Sequence, residues 1–183
     1  MKKVFLIHGF EGSPNGGWRP WLMAELENRD IYACSLSMPD PENPRCTEWV
    51  EEIARHVRRN SKDEIYLVGH SLGVPAMLRY LESANASIKG AVLVSGPALK
   101  TGNEIIDDFF RTPFDFENIR SKAEKFRVIH GDNDPRVDIK EAEILSKELN
   151  APLAIIPNGG HLNGSSGWRS LPECLNALLA MMG

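Results

Sequence analysis

The segment that most constrains this chain is residues 64–81. An apolar run, Glu64-Ile65-Tyr66-Leu67-Val68, passes into Gly69-His70-Ser71-Leu72-Gly73, and apolar residues then recur at Val74, Met77, Leu78 and Leu81. The first stretch reads as a buried strand and the last as a helix packed along one face. The short turn between them forces its central residue into strained backbone and draws the two elements close together. Glycine at 69 and 73 carries no Cβ and leaves room for that approach. G-x-S-x-G between a strand and a helix is the setting of a nucleophile elbow, with Ser71 Oγ projecting above the sheet beside the positive end of a helix. The plainer reading of the same five residues is a tight structural turn.

A serine hydroxyl is a poor nucleophile until a base takes its proton, and the base needs a partner to fix its tautomer. Both residue types follow Ser71 in the chain. The segment His130-Gly131-Asp132-Asn133-Asp134-Pro135 leaves the apolar stretch Phe126 to Ile129. Gly159-Gly160-His161-Leu162-Asn163 follows the strand-like run Leu153-Ala154-Ile155-Ile156. Parallel strands deliver their carboxyl ends to one crevice, so the three segments are expected to meet there. His161 is the candidate base. Of the five histidines, His56 sits on a polar helix face beside Arg55, Arg58 and Arg59, and His70 lies inside the elbow as a packing or supporting residue. His8 and His130 each end a strand before a glycine and are read as supports for the crevice loops. The acid is Asp134 or Asp132. Asp132 has the alternative of bracing its loop by accepting backbone hydrogen bonds, and Asp138 reads as the cap of the next helix.

The first strand, Lys3 to Ile7, leaves through His8-Gly9-Phe10-Glu11-Gly12-Ser13-Pro14. A tetrahedral acyl intermediate needs two donors aimed at its developing oxyanion. The expected pair is the backbone N–H of Leu72, next after the serine, and that of Phe10. The loop lacks the G-x-G-x-x-G spacing, and the chain contains no G-x-x-x-x-G-K-[ST], so neither nucleotide-binding signature is present. Trp18 and Trp21 follow the flexible Asn15-Gly16-Gly17 and either cover the sheet or rim the pocket.

The strand-like runs fall at 4–7, 31–36, 65–68, 92–94, 126–129 and 153–156, with helices near 18–28, 46–60, 72–84, 138–149 and 170–181. Short apolar strands alternating with helices indicate a mostly parallel sheet covered on both faces. The expected fold class is therefore α/β, with about six strands in a single domain spanning 1–183. Residues 96–122 interrupt the alternation, with a short helix near 105–110 and the aromatics Phe114 and Phe116. They are too few for a full cap domain, so an open site for small substrates is expected and long-chain lipase action is not. The segment either covers the core or lines the pocket. Candidate pocket residues are Trp18, Phe109, Phe110, Phe114, Leu162 and Trp168.

With 42% apolar and 25% charged residues, the chain reads as a folded globule. Its net charge of −4 and the absence of a concentrated basic footprint argue against nucleic-acid binding. Cys34, Cys46 and Cys174 show neither metal spacing nor an even disulfide framework, which favours a reducing compartment. The apolar run after Lys2-Lys3 is too short for a secretory core of about 7–15 residues or a span of about 20. No membrane association is expected, and the chain reads as cytoplasmic.

Taken together, His8-Gly9-Phe10, Gly69-His70-Ser71-Leu72-Gly73, Asp134-Pro135, Gly160-His161-Leu162-Asn163 and Gly167-Trp168 resemble the retinoblastoma-binding protein 9-like serine hydrolases and their bacterial relatives, a compact α/β-hydrolase group. The resemblance runs over nearly the whole chain. It implies Ser71, Asp134 and His161 as a triad, a minimal six-stranded fold without the usual antiparallel strands at the amino end, and no metal or organic cofactor. It does not extend to pocket-protein binding through L-x-C-x-E, because the residues two before the cysteines are Tyr32, Pro44 and Pro172. The expected activity is hydrolysis of a small carboxylic ester through an acyl-enzyme. Amide or thioester cleavage, perhydrolysis on the same machinery, and a noncatalytic interaction module with a vestigial site are the alternatives. The expected partner is a small acyl substrate; exposed helices allow a homodimer, and the sequence does not fix the oligomeric state.

Overall fold

The computed structural model describes residues 1–57 and 62–183. Its six strands are β1 (Lys2–Ile7), β2 (Tyr32–Ser35), β3 (Glu64–His70), β4 (Gly90–Val94), β5 (Phe126–Gly131) and β6 (Leu153–Ile156). They form one sheet in the order β2-β1-β3-β4-β5-β6, and every neighbouring pair is parallel. The helices are α1 (Arg19–Glu27), α2 (Cys46–His56), α3 (Gly73–Ser83), α4 (Phe116–Ser121), α5 (Ile139–Glu148) and α6 (Pro172–Met182).

The strands are apolar on both sides because both sides are covered. In β1, Val4 and Leu6 face a layer formed by α1 and α6, while Phe5 and Ile7 face one formed by α2, α3, α4 and α5. The same alternation repeats in β3, where Tyr66 and Val68 join the first layer and Ile65 and Leu67 the second. A parallel sheet buried in this way leaves its crossover helices amphipathic and its strands continuously apolar. Helix α3 lies hard against the sheet: a Cβ at Gly73 would stand 2.3 Å from the Ile7 carbonyl oxygen, so only glycine permits the approach.

Strand order reverses between β1 and β3, which places the loops leaving those two strands at the topological switch point where α/β folds bind ligands. The expected interruption after β4 is a 3-10 turn, Ile106–Phe110, followed by α4. Sequence reading did not anticipate α4, whose Asp115 cap accepts the Asn118 amide N–H. These short elements pack beside α3 and do not build a large cap domain. The second helix is described to His56, and the expected continuation through residue 60, with Arg58 and Arg59, lies outside the described residues.

Candidate active site

Ser71 occupies the turn between β3 and α3 with φ of 53°, a left-handed conformation that a residue carrying a Cβ adopts only under constraint. The constraint is a pair of backbone bonds: the Ser71 N–H donates to Val94 O at 2.9 Å, and Ser71 O accepts from the Val74 N–H at 2.9 Å. Gly9, on the loop leaving β1, presses against the same residue. A Cβ there would stand 2.8 Å from Ser71 Cβ and 3.2 Å from its Oγ.

The segments leaving β5 and β6 meet this turn. Ser71 Oγ lies 2.9 Å from His161 Nε2, and His161 Nδ1 lies 2.8 Å from Asp134 Oδ2 and 3.0 Å from Oδ1. An imidazole whose Nδ1–H is held by a carboxylate presents Nε2 as an acceptor for the hydroxyl proton, which is the arrangement general-base activation requires. Asp134 Oδ1 also accepts the backbone N–H groups of Arg136 and Val137. Burial pushes the Asp134 carboxyl up, but the His161 hydrogen bond and charge and the two backbone donors outweigh it and hold the group below its ordinary value. Asp132 does not meet His161; its Oδ1 accepts the Asn158 N–H at 2.8 Å and braces the histidine loop. Asn133 Oδ1 does the same for the Gly160 N–H at 2.8 Å.

The other histidines are occupied. His8 Nδ1 donates to Gly9 O at 2.8 Å, and its Nε2 accepts the Met38 N–H at 3.3 Å. His70 Nε2 donates to His161 O at 3.0 Å, fixing the backbone of the candidate base. Burial and the neighbouring His161 push His70 down to about 3, so it stays neutral. His130 Nε2 donates to Val137 O at 2.9 Å and stands 3.7 Å from Asp134 Oδ2. His56 is exposed and lies 3.2 Å from Glu52 Oε1.

A cavity of about 370 Å³ opens over Ser71. Its walls are the Gly9–Ser13 loop, Gly16, Gly17, Arg19, His70, His161, the Asn163–Ser165 turn, Arg136 and Arg169. The apolar and aromatic side chains expected from sequence at its wall lie elsewhere among the described residues. Trp18 is buried, donating Nε1–H to Leu162 O at 2.8 Å and meeting His70 edge-on; Leu162 is fully buried beneath it. Trp168 donates Nε1–H to Gly159 O at 2.7 Å. These three side chains hold the histidine loop from behind instead of lining the cavity. Phe109 is core, edge-on to Trp49, and Phe110 and Phe114 line a different groove with Leu99 and Ile144. Of the residues expected near the substrate, Phe10 does line the cavity. The arginines were missed because their sequence neighbourhood carries no pattern; only the folded loops bring them together. Among the described residues no group of three or more His, Cys, Asp or Glu side chains could hold a metal ion, and no helix is long and apolar enough to cross a membrane.

The chain is similar to known proteins in sequence and in fold. The serine hydrolase family matches residues 4–180. The Bacillus subtilis protein named "Putative hydrolase YdeN" is 33% identical over 180 residues, covering 97% of this chain and 94% of its own length. Its crystal structure superposes with a TM-score of 0.92 over 100% of this chain and 99% of that one. Serine hydrolase RBBP9 of Rattus norvegicus is 27% identical over 152 residues, 81% of this chain and 80% of its own. Est1E of Butyrivibrio proteoclasticus, solved with ferulic acid, shares the fold at a TM-score of 0.78, 15% identity, and coverage of 100% and 88%. Family membership supports a serine-hydrolase, esterase-type activity. The chain belongs to the YdeN- and RBBP9-like serine hydrolases of the α/β-hydrolase superfamily.

Proposed function

We propose that residues 1–183 form one catalytic domain that hydrolyses small carboxylic esters through a covalent acyl-enzyme, with Ser71 as nucleophile, His161 as general base and acid, and Asp134 as the orienting carboxylate. The observation that carries this reading is the continuous hydrogen-bonded path from Ser71 Oγ through His161 to Asp134, opening onto a cavity at the sheet's switch point. His161 Nε2 takes the hydroxyl proton as Oγ bonds to the ester carbonyl carbon. The tetrahedral oxyanion accepts from the amides of Leu72, whose position at the start of α3 gives its N–H no intrahelical acceptor, and of Phe10. As the ester C–O bond breaks, the proton passes to the departing alkoxide and the alcohol leaves. Water, deprotonated by the same imidazole, then attacks the acyl carbon, the Oγ–acyl bond breaks, and the acid is released. Asp134 remains ionised throughout and stabilises the imidazolium.

Intact-mass labelling with a fluorophosphonate tests the reading. Wild-type protein is expected to gain one adduct mapping to Ser71, Ser71→Ala none, and His161→Ala an adduct formed at least about a hundredfold more slowly. The same variants should lose turnover of 4-nitrophenyl butyrate by several orders of magnitude. Unchanged turnover in purified Ser71→Ala protein would sink the proposal.

A further inference from the structure

Resting on that esterase reading, we infer that the Ser71 cavity contains a carboxylate-binding subsite centred on Arg19, so that the preferred substrate carries a second, non-reacting carboxylate. Three guanidinium groups line this cavity, those of Arg19, Arg136 and Arg169, against one lining acid, Glu11. Arg136 and Arg169 are at the exposed rim, whereas Arg19 is 5% exposed. At the first residue of α1, its Nη2 donates to Ser13 O at 2.8 Å. Its Nε–H is buried without a partner, and among the described residues no carboxylate pairs with it.

A buried guanidinium with one neutral acceptor leaves most of its five donors unused and its charge uncompensated. Burial accordingly pulls Arg19 down to about 10, and its charge bears on His8 and on His70, which lines the cavity. A bound carboxylate would pair with the guanidinium and compensate its buried charge. Lysine could not supply the same fork. The scaffold holds the group in place: the Trp18 ring lies beside it, with the guanidinium carbon 5.9 Å from the ring centroid, and a Cβ at Gly16 would meet its Nη2 at 2.6 Å. Glycine at 16 thus leaves room for the guanidinium beside the loop.

Matched ester pairs test the inference. On the acyl side, mono-4-nitrophenyl adipate is compared with 4-nitrophenyl hexanoate; on the leaving-group side, 3-carboxy-4-nitrophenyl butyrate is compared with 4-nitrophenyl butyrate. Wild-type protein is expected to favour the anionic member of at least one pair by tenfold or more in kcat/KM. Arg19→Gln should shrink that ratio at least tenfold, chiefly through KM, and Arg19→Lys should recover only part of it. A wild-type ratio at or below one in both pairs overturns the inference even if the variants do not fold, as does an unchanged ratio in Arg19→Gln. Binding is read separately, as the rise in thermal midpoint produced by adipate relative to hexane-1,6-diol. Adipate stabilisation lost in Arg19→Gln, with no fluorophosphonate adduct and no turnover, would keep the subsite and discard the esterase reading. Turnover of the neutral esters with no anionic preference and no adipate effect would do the reverse.

Discussion

His70 stands directly behind the candidate base, and its chemistry is dictated by what surrounds it. Its ring is buried between Trp18 and His161, and its Nε2–H donates to the His161 carbonyl. An unfolded His70 takes a proton as pH falls through about 6.5, whereas the folded residue does so only near about 3. Between those values the unfolded state holds more protons, so acid favours unfolding. The contribution is fully present above about pH 6.5 and declines as pH drops, with a slope from this group of at most about 1.4 kcal/mol per pH unit. His8, lowered by burial, acts in the same direction, and the depressed Asp134 carboxyl adds its own loss at lower pH. His70→Gln retains an N–H donor for the His161 carbonyl but does not titrate. Urea unfolding at pH 7.5, 6.0 and 5.0 should show a shallower fall in stability for the variant; equal slopes would mean that the wild-type imidazole is solvated. The choice between Asp132 and Asp134 also belongs at this scale. Both are short acids in one turn, and only the folded path of the loop decides that Asp134 meets imidazole while Asp132 holds the Asn158 amide.

At the scale of elements, the site depends on how closely the β1 loop approaches the β3–α3 turn. Residue types and their order made this legible: the glycines at 9, 69 and 73, the strand-like runs before them and the apolar spacing of α3 all carry local patterns. The aromatics misled for a physical reason. Burial of an indole or phenyl ring looks the same in sequence whether the ring serves a core, a loop brace or a pocket, and here Trp18, Trp168 and Phe109 serve the first two. The arginines were silent because a charged residue at a helix start or in a loop usually points to water. Gly9→Ala tests the approach itself. The added methyl would sit 2.8 Å from Ser71 Cβ, a distance that backbone on both sides must yield to relieve. On the proposed mechanism, moving the loop by a few tenths of an ångström would displace the Phe10 amide from the oxyanion, for which loss of one donor costs about 10²–10³ in kcat. The expected result is a fall in kcat of about that size with KM little changed; full activity would place the loop donor elsewhere.

Across the described residues, the sheet separates two apolar layers. Ile53 of α2 lies in one layer and Leu178 of α6 in the other, both fully buried. Helices on opposite faces of a sheet are each about 10 Å from it, so cavities made at these positions cannot relax into one another. Yet the strands are common to both layers, and neither face can be uncovered without exposing apolar residues on a parallel sheet that has no solvent-compatible side. The two layers are therefore expected to be energetically additive and thermodynamically inseparable. Ile53→Val should cost about 0.5–1.5 kcal/mol and Leu178→Ala about 2–5 kcal/mol. The double variant should lose the sum to within about 0.5 kcal/mol while retaining a single urea transition, coincident by far-UV circular dichroism and tryptophan fluorescence. Two transitions would mean that one helical layer detaches first. Because Trp18 and the histidine loop pack on the α6 side while Ser71 leads into α3 on the other, detachment of either layer would dismantle the site before the sheet unfolds.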